Sequence, residues 1–597
     1  MHRARMWPDF RQEHVLFEDE DIIVVHKPAG VPSQAAEPER PDDLVLRVRS
    51  FLAAREGKEP SRVYLGVHQR LDRDTSGLVL FTKRPEANPA IAAQLEKRQL
   101  KKRYVAGVVG WPERRRAATL DDELVKGDEG RMQVAAPRRG AQRGRGGRDA
   151  ARGGGGPGRA PGQRAITEVT LRSRRGERAL LDLVLQTGRT HQARVQLAHA
   201  GAPIAGDVLY RGSLAPRLML HAVALELTHP RTNERLAIRD DLARADFEAW
   251  LERGDAGYGV YDDRSALDRA LALAVERRWA LGHSADRDPP ERRTTAFRLV
   301  NEEGDALPGL AVDVYGEHLV AQIYVSEEWE KPGRRERLLD ALDALGFDGV
   351  YLKLRPKQAN VLVDTRRDDL APSAPVRGTA APGELVVYEE GAPFAVRLGD
   401  GLSTGIFLDQ RLNRRAVRES ARGAVVANLF SYTCAFSVVA ALGGARRTVS
   451  VDASLAALER GRAGFKLAGL ELGRDHTFAG EDAFTWLAKA AKRDERFDLV
   501  IVDPPSYSST KKRRFVAESD YDELVALAAA VVAPGGRILA CCNHRGMARQ
   551  KLRRLVHEGA RAAGREAVQL KDLPDAPDFP GAGGREPHMK SLLLTLR

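Results

Sequence analysis

The 597-residue sequence predicts a multidomain protein, α+β in its first part and α/β in its last. Three observations carry this. The chain is too long for a single hydrophobic core, and its length alone corresponds to three or four domains. From about residue 14 to 125, short β-rich runs (DIIVVHKP, SGLVLFTKR, KKRYVAGVVG) alternate with turn residues and one polar helix, the pattern of a mixed sheet. From about 420 onward AVVANLF, RTVSVD, FDLVIVDPP and GRILACC alternate with the helical stretches LAALERGRAGFKLAG and ELVALAAAVVA. Apolar strands spaced by amphipathic helices imply a largely parallel sheet covered on both faces.

The elements follow in order. Residues 1–253 form the first domain, in which AITEVTLRS and ERALLDLVLQTGRTHQARVQLAHAG read as two strands and a helix. Inside it, residues 137–164 carry eight arginines among many glycines and one acid, Asp149. Such a segment cannot bury a core and is expected to be disordered, as a tolerated insertion or as an electrostatic tether. Residues 254–292 have helical apolar spacing and a polar end, a helical linker. FRLVNEEGDALPGLAVDVYG opens a small α+β module over 293–395, and residues 396–597 hold the α/β domain.

Lys and Arg number 95 against 83 Asp and Glu, a net charge of +12. That surplus favours a polyanionic partner, nucleic acid or an acidic membrane surface. Cys434, Cys541 and Cys542 cannot make a disulfide framework, and none has zinc-site spacing, so no metal is expected. The opening MHRARMWPDFRQEH lacks the apolar core of a signal peptide, and no apolar run is long enough to cross a bilayer. A soluble, cytoplasmic protein without a membrane partner is expected.

The sharpest motif of the first domain is Arg70-Leu71-Asp72-Arg73-Asp74-Thr75-Ser76-Gly77. An aspartate between arginines is by itself compatible with an ordinary surface loop. Here HKPAG (His26 to Gly30) precedes it, and RYVAGVVG with Tyr104 follows. TGRTHQARVQLAHAG, with Arg189, His191 and Arg194, comes later. In this order and spacing the motifs resemble the RluA-like family of pseudouridine synthases over residues 14–253. The resemblance implies a mixed-sheet catalytic domain with an RNA-binding cleft. Asp72 matches the family's catalytic aspartate, which attacks the ribose or takes a proton while uridine is detached, rotated and rejoined through C5. A buried carboxylate near phosphates needs a cationic partner; by resemblance this is Arg194, with Arg189 second. Tyr104 is expected as a catalytic residue that packs against the target base and helps handle the C5 proton, and Arg70, Arg189 and His191 are expected against the RNA. The base must leave its stack to be reached.

The second constellation is ANLFSYTCAF (Ala427 to Phe436), VSVDAS with Asp452, GEDAF with Asp482 and VDPPSYSS with Asp503. An acid about twenty residues past the first strand–helix turn suits paired ribose hydroxyls, a feature shared by dehydrogenases of the same doubly wound class. The DPPSY loop discriminates. With STGIFLDQRLNRR (Ser403 to Arg415) upstream, the region from near Ser265 resembles the RlmI/RlmK group of 23S ribosomal RNA methyltransferases. That implies a Rossmann-like methyltransferase domain with S-adenosyl-L-methionine as cofactor. By the same resemblance Asp452 binds its ribose and Asp482 the adenine edge. Phe430 and Tyr432 line the first turn, and Asp409, Gln410 and Arg411 close over the cofactor. Asp503, Pro504, Pro505 and Tyr507 shape the target-base pocket, Asp503 being both catalytic and cofactor-facing. The competing reading of Phe430 and Tyr432, as plain core aromatics, is the less favoured one. The group has glycine where this chain has Cys434, a position where glycine tolerates positive φ and close backbone approach.

Methylation of cytosine at C5 needs a thiolate to add at C6, whereas guanine N-7 is already nucleophilic and needs only positioning. The cytosine methylators of the group carry that cysteine in a Ser-Cys-Ser-Gly run. Counted from Gly536, the thiol position falls on Asn543, within Cys542-Asn543-His544-Arg545-Gly546. The expectation is a bifunctional RNA-modification enzyme with guanine N-7 as the methyl acceptor and cytosine C5, through Cys542, as the alternative. The competing class is a non-catalytic RNA-binding ribosome-assembly factor, against which stand the intact Asp72 and Asp503-Pro504-Pro505. DNA as methyl acceptor also fits the DPPSY loop but not a uridine-modifying companion.

Overall fold

The computed structural model describes residues 7, 10–34, 43–127, 131–135, 162–255, 257–356, 368–509, 514–581 and 588–597. The chain divides into two compact units, residues 8–257 with 582–584, and residues 1–7 with 258–581 and 585–597.

The first unit is built on an eleven-stranded mixed sheet among the described residues. Its strands are β1 (Val15–Glu18), β2 (Ile22–Lys27), β3 (Gly66–Val67), β4 (Ser76–Thr82), β5 (Lys101–Val109), β6 (Ala117–Lys126), β7 (Met132–Val134), β8 (Gln163–Arg175), β9 (Arg178–Leu185), β10 (Leu220–Thr228) and β11 (Arg235–Arg239). Their order is β1-β2-β4-β10-β5-β9-β8-β6-β7, with β3 on β4 and β11 on β10. Strand β4 is buried at every position, which is why SGLVLFT reads as a continuous apolar run. It meets β10 in parallel for two residue pairs only, Ser76 with His221 and Gly77 with Ala222. Gly77 has φ +116°, and a Cβ there would lie 2.4 Å from the Ala222 carbonyl oxygen, so the close approach demands glycine. Most of the Arg/Gly-rich segment lies outside the described residues. Gln163 and Arg164, expected to be disordered with it, instead open β8, where Arg164 pairs with Asp121.

The second unit contains three sheets that matter here. β12 (Ala296–Asn301), β13 (Leu310–Tyr315), β14 (His318–Tyr324), β15 (Gly349–Arg355) and β16 (Arg377–Gly378) form a five-stranded sheet in chain order, and β17 (Leu385–Glu389) pairs with β18 (Ala392–Val396). Helices Arg264–Arg277 and Trp279–Arg287 fall where a linker was expected. The apolar face of the first, Leu267, Ala270, Leu271 and Ala274, is buried in the same core as Phe297, Val312 and Leu319. This segment is therefore packed structure, because its helical period aligns its apolar residues on one side. Trp7 belongs to this core too, with its ring 5.6 Å from Phe297, and not to the first domain.

The third sheet has seven strands: β19 (Val425–Leu429), β20 (Arg447–Asp452), β21 (His476–Gly480), β22 (Phe497–Val502), β25 (Val532–Cys542), β26 (Ala567–Asp572) and β27 (Lys590–Leu596). The hairpin β23 (Tyr507–Ser509) and β24 (Arg514–Val516) stands apart. The order is β21-β20-β19-β22-β25-β27-β26, parallel through β25, with β27 antiparallel to both neighbours. Apolar side chains pack on both faces, since Val425, Ala427 and Leu429 belong to one core cluster and Val426 to the other. The carboxyl ends of the parallel strands carry Phe430, Asp452, Asp503 and Asn543, the rim where open α/β sheets bind ligands.

Candidate active sites

In the first unit the turn after residue 70 places Asp72 on a cleft of about 1180 Å³, also lined by Arg70, Tyr104, Arg189, His191 and Arg194. Three pins fix this turn. Ser33 Oγ lies 2.8–2.9 Å from both the carbonyl and the N–H of Leu71. The Asp72 carbonyl accepts from Thr75 N at 3.1 Å. Fully buried Lys27 donates to the carbonyls of Pro28, Val31 and Arg73 at 2.7–2.9 Å, which saturates its three N–H groups. Burial pulls the Lys27 pKa down to about 7, against the nearby charges of Asp74 and Asp72.

Arg194 projects from the helix Gln192–His199 and is buried. Its Nη1 donates to Asp72 at 3.3 Å, while Nε and Nη2 donate to both oxygens of Asp207 at 2.7 and 2.9 Å. Burial opposes its charge, but the Asp207 pair and the Asp72 charge raise its pKa above the ordinary arginine value. Asp207 has no exposed side-chain surface and also accepts from Leu209 N and Tyr210 N at 3.1 Å. The guanidinium is thus held flat against one carboxylate and offers a single N–H to the other. Tyr104, on β5, is buried, and burial with the nearby Asp72 charge keeps its hydroxyl protonated. His191 begins the helix at φ +54° with Nδ1 3.0 Å from Tyr210 Oη; burial lowers its pKa. Arg189 is exposed and donates to the Arg164 carbonyl at 3.3 Å, so Arg194 is the arginine beside Asp72. Arg70 is exposed on the cleft.

In the second unit the turn after β19 has three non-glycine residues in the left-handed region, Phe430 (φ +54°), Tyr432 (φ +47°) and Cys434 (φ +62°). Such conformations cost about 1–3 kcal/mol each and collect at ligand sites. The turn closes on Asp452, whose Oδ2 accepts from Tyr432 N and Oδ1 from Ser454 N, both at 2.8 Å. Each oxygen keeps a lone pair. Asp482 caps the helix Ala483–Lys492, accepting from Thr485 N at 3.1 Å. Phe430 packs against the core beside Phe515, and the Tyr432 ring lies 5.5 Å from exposed Phe407.

Asp503 directly follows β22 and bonds to the side chain of Gln410; burial, together with neighbouring Asp409, pushes its pKa up to about 7. Burial also raises Asp409, against the charges of Arg298 and Arg414. Arg411 takes a different place from the one expected, since its buried guanidinium pairs with Asp578 and leaves the rim to Asp409 and Gln410. Asp578 in turn accepts from Arg298 N at 3.1 Å. Asn543 Oδ1 accepts from Ser506 Oγ at 2.9 Å, joining the end of β25 to the Asp503-Pro504-Pro505 loop. Pro504 is buried, Pro505 exposed, and Tyr507 39% exposed at the head of the hairpin. This donor set fits S-adenosylmethionine: a carboxylate with spare lone pairs for a ribose diol, and two poorly compensated carboxylates for a sulfonium and an ammonium.

Two family models match the chain, an S-adenosylmethionine-dependent methyltransferase over residues 362–594 and an RNA pseudouridylate synthase over residues 21–199. The Bacillus subtilis (strain 168) protein YwbD, provisionally named a ribosomal RNA large subunit methyltransferase, is 37% identical over 289 residues. These are 48% of this chain and 70% of that protein. The chain belongs to this methyltransferase family. Ribosomal RNA large subunit methyltransferase I of Aeromonas salmonicida (strain A449) is 34% identical over 343 residues, 55% of this chain and 83% of that one. Human RNA Pseudouridylate Synthase Domain Containing 4 is 23% identical, covering 40% of this chain and 93% of that one, with a TM-score of 0.30. The chain is a fusion: an RluA-like pseudouridine synthase domain precedes an RlmI/RlmK-like methyltransferase domain. It is an isomerase and a transferase in one polypeptide, and its cofactor is S-adenosylmethionine.

The fusion enzyme has site residues that sequence reasoning missed. Asp207 and Tyr210 hold Arg194 and His191, yet lie in a GDVLY stretch without a local signal. Tyr521 is fully buried and donates to the Cys541 carbonyl at 2.7 Å, fixing the end of β25 before Asn543. Arg545 pairs with Glu302 at 2.5 Å and lies over the Tyr324 ring, tying the Asn543 loop to the small module. Among the described residues no helix is long and apolar enough to cross a membrane. Asp19, Asp21 and His229 form, among the described residues, a group that could hold a metal ion; His229 bonds to Asp19 at 2.7 Å and Arg231 to Asp21 at 2.6 Å.

Proposed function

We propose that the chain isomerises a uridine of RNA to pseudouridine at Asp72 and methylates a base of large-subunit ribosomal RNA beside Asp503. The observation that carries the first activity is the single Arg194 N–H aimed at Asp72 on the floor of a basic cleft. Arg194 places its positive charge beside Asp72, and Asp72 attacks C1′ of the ribose as the bond from C1′ to the base breaks, or takes the proton released at C5. Neutral Tyr104 packs against the base, while Arg70, Arg189 and His191 meet the backbone.

For the second activity S-adenosylmethionine supplies an electrophilic methyl group. Asp452 holds its ribose and Asp482 its adenine edge, Phe430 and Tyr432 wall the turn, and Asp409, Gln410 and Asp503 face its charged end. Pro504, Pro505, Tyr507 and Asn543 hold the acceptor base. The names of the relatives, which are of the methyltransferase I type, favour C5 of cytosine as acceptor, with Cys542 adding to the ring. The thiols favour a ring nitrogen such as guanine N-7. Cys541 and Cys542 are buried in β25 and burial raises both pKa values, which opposes a thiolate, whereas exposed Asn543 faces the DPPSY loop.

Mass spectrometry of nucleosides from ribosomal RNA of cells carrying wild type, Asp72→Asn, Asp503→Asn or Cys542→Ala tests all of this. Loss of one pseudouridine with the first variant and one methylated nucleoside with the second is expected. The identity of the lost nucleoside, 5-methylcytidine or 7-methylguanosine, selects the acceptor. Only the former should depend on Cys542. Retention of every modification in all variants would leave an RNA-binding factor.

A further inference from the structure

The HKPAG motif and β10 contribute two histidines that the reaction above does not use. His26 and His221 converge on Asp240, which has no exposed side-chain surface: His26 Nδ1 lies 2.6 Å from its Oδ2, and His221 Nε2 3.2 Å from its carbonyl oxygen. On its other side His221 Nδ1 lies 2.8 Å from Ser76 Oγ, and Arg217 Nη1 donates to that same hydroxyl at 2.6 Å. Ser76, Arg217, His221 and Asp240 are all buried.

The donors can be ordered. A guanidinium only donates, so Ser76 accepts from Arg217 and its own proton points to His221 Nδ1. Burial drives the His221 pKa down to about 3. The ring is then neutral, with its one proton on Nε2 directed at Asp240. The bonds run in one sense, from Arg217 through Ser76 and His221 to Asp240, and each hydroxyl or ring nitrogen has one assignment.

Ser76 is four residues past Asp72 and is the end of the turn that carries it. Leu71 and Arg73 are pinned from the N-terminal side by Ser33, Lys27 and Gly30. The C-terminal side is pinned through Ser76, at the two-residue contact of β4 with β10.

We infer that His221 is a positioning residue for Asp72: by accepting the Ser76 proton it sets the C-terminal end of the catalytic turn and so the aim of the carboxylate. The inference rests on the reading of Asp72 as the reacting carboxylate. A displacement of about 1 Å costs on the order of a hundredfold in rate.

The test uses full-length protein and, as substrate, total RNA from cells lacking it, with the pseudouridine rate followed against RNA concentration. Ser76→Ala and His221→Leu are each expected to lower kcat 10- to 100-fold with KM within threefold. The double variant should be no slower than the slower single. His221→Asn, whose amide oxygen can accept in place of Nδ1, should return to within fivefold of wild type. A His221→Leu rate within threefold of wild type, equal loss in the Asn and Leu variants, or a rise in KM alone would overturn the inference. If His221→Leu does not fold, Ser76→Ala and His221→Asn still decide it. Asp72→Asn at the wild-type rate would instead sink the reading of the site, a distinct result.

Discussion

The first βα turn of the methyltransferase domain gives a prediction with a number. Cys434 occupies a left-handed position where its relatives are expected to have glycine, and its side chain is fully buried. It faces Gly461, inside the helix Leu455–Leu467; a Cβ on Gly461 would lie 2.4 Å from the Cys434 sulfur and 2.9 Å from its Cβ. Cys434→Gly relieves about 1–2 kcal/mol of left-handed strain and forfeits about 1–2 kcal/mol of buried side chain, so it should fall within about 1 kcal/mol of wild type. Gly461→Ala gains about 1 kcal/mol of helix propensity but overpacks a closed site at about 1–3 kcal/mol, a net loss of up to about 2 kcal/mol. With glycine at 434 the clash is gone, and the same alanine should stabilise by about 1 kcal/mol. The coupling between the two positions is therefore about 1–3 kcal/mol. Urea unfolding of all four proteins measures it, following the transition that S-adenosylhomocysteine shifts. Additivity within about 0.5 kcal/mol would refute the claim that Cys434 and Gly461 are fitted to each other.

Other expectations concern single residues. Asp207→Asn removes half of a buried ion pair and should cost about 3 kcal/mol in thermal unfolding, with pseudouridine formation slowed more than RNA binding. Lys27→Met takes a donor from the carbonyls of Pro28 and Val31, while that of Arg73 keeps Gly30 N–H, and should cost about 2–3 kcal/mol, read by the same melt. Asp503 holds its proton to about pH 7 when folded and releases it near its ordinary 3.8 when unfolded. The stability it contributes is present below about pH 4 and lost as pH rises through 7. Denaturation at pH 5 and pH 8 should show wild type weakening relative to Asp503→Asn over that interval. Cofactor affinity should rise about three- to tenfold from pH 6 to pH 8 in wild type and stay flat in the variant.

Both candidate sites were legible in the sequence where their chemistry sits in short runs. RLDRDTSG, TGRTHQARV, VSVDAS and VDPPSY each keep strand end, turn and reactive group within about ten residues, so local pattern and order suffice. The parts that hold those groups in place were not legible. Asp207 meets Arg194, Ser76 meets His221 across 145 positions, and Glu302 meets Arg545 across 243. Asp207 and His221 sit in stretches that carry no motif, and only the folded sheet brings them to Arg194 and Ser76. Arg411 was misplaced for a related reason: its motif is local, but Asp578, which claims it, lies 167 residues away. The spacing over residues 254–292 marks the helices that are present, but spacing alone does not say whether an apolar face finds a core.

The two-pair contact between β4 and β10 also bears on when the enzyme can act. The catalytic turn appears in the first 76 residues of synthesis, but its second anchor, His221, and the Asp240 beyond it come some 145 residues or more later. Closing so long a loop is slow, and non-local pairing dominates the folding time of β-rich domains. A nascent chain that has not yet released residue 240 has Asp72 but lacks the His221–Asp240 anchor of its turn. Under the proposed role of His221, the aim of Asp72 is set only once residues 221 and 240 have joined β4, so alignment of the site waits on chain length.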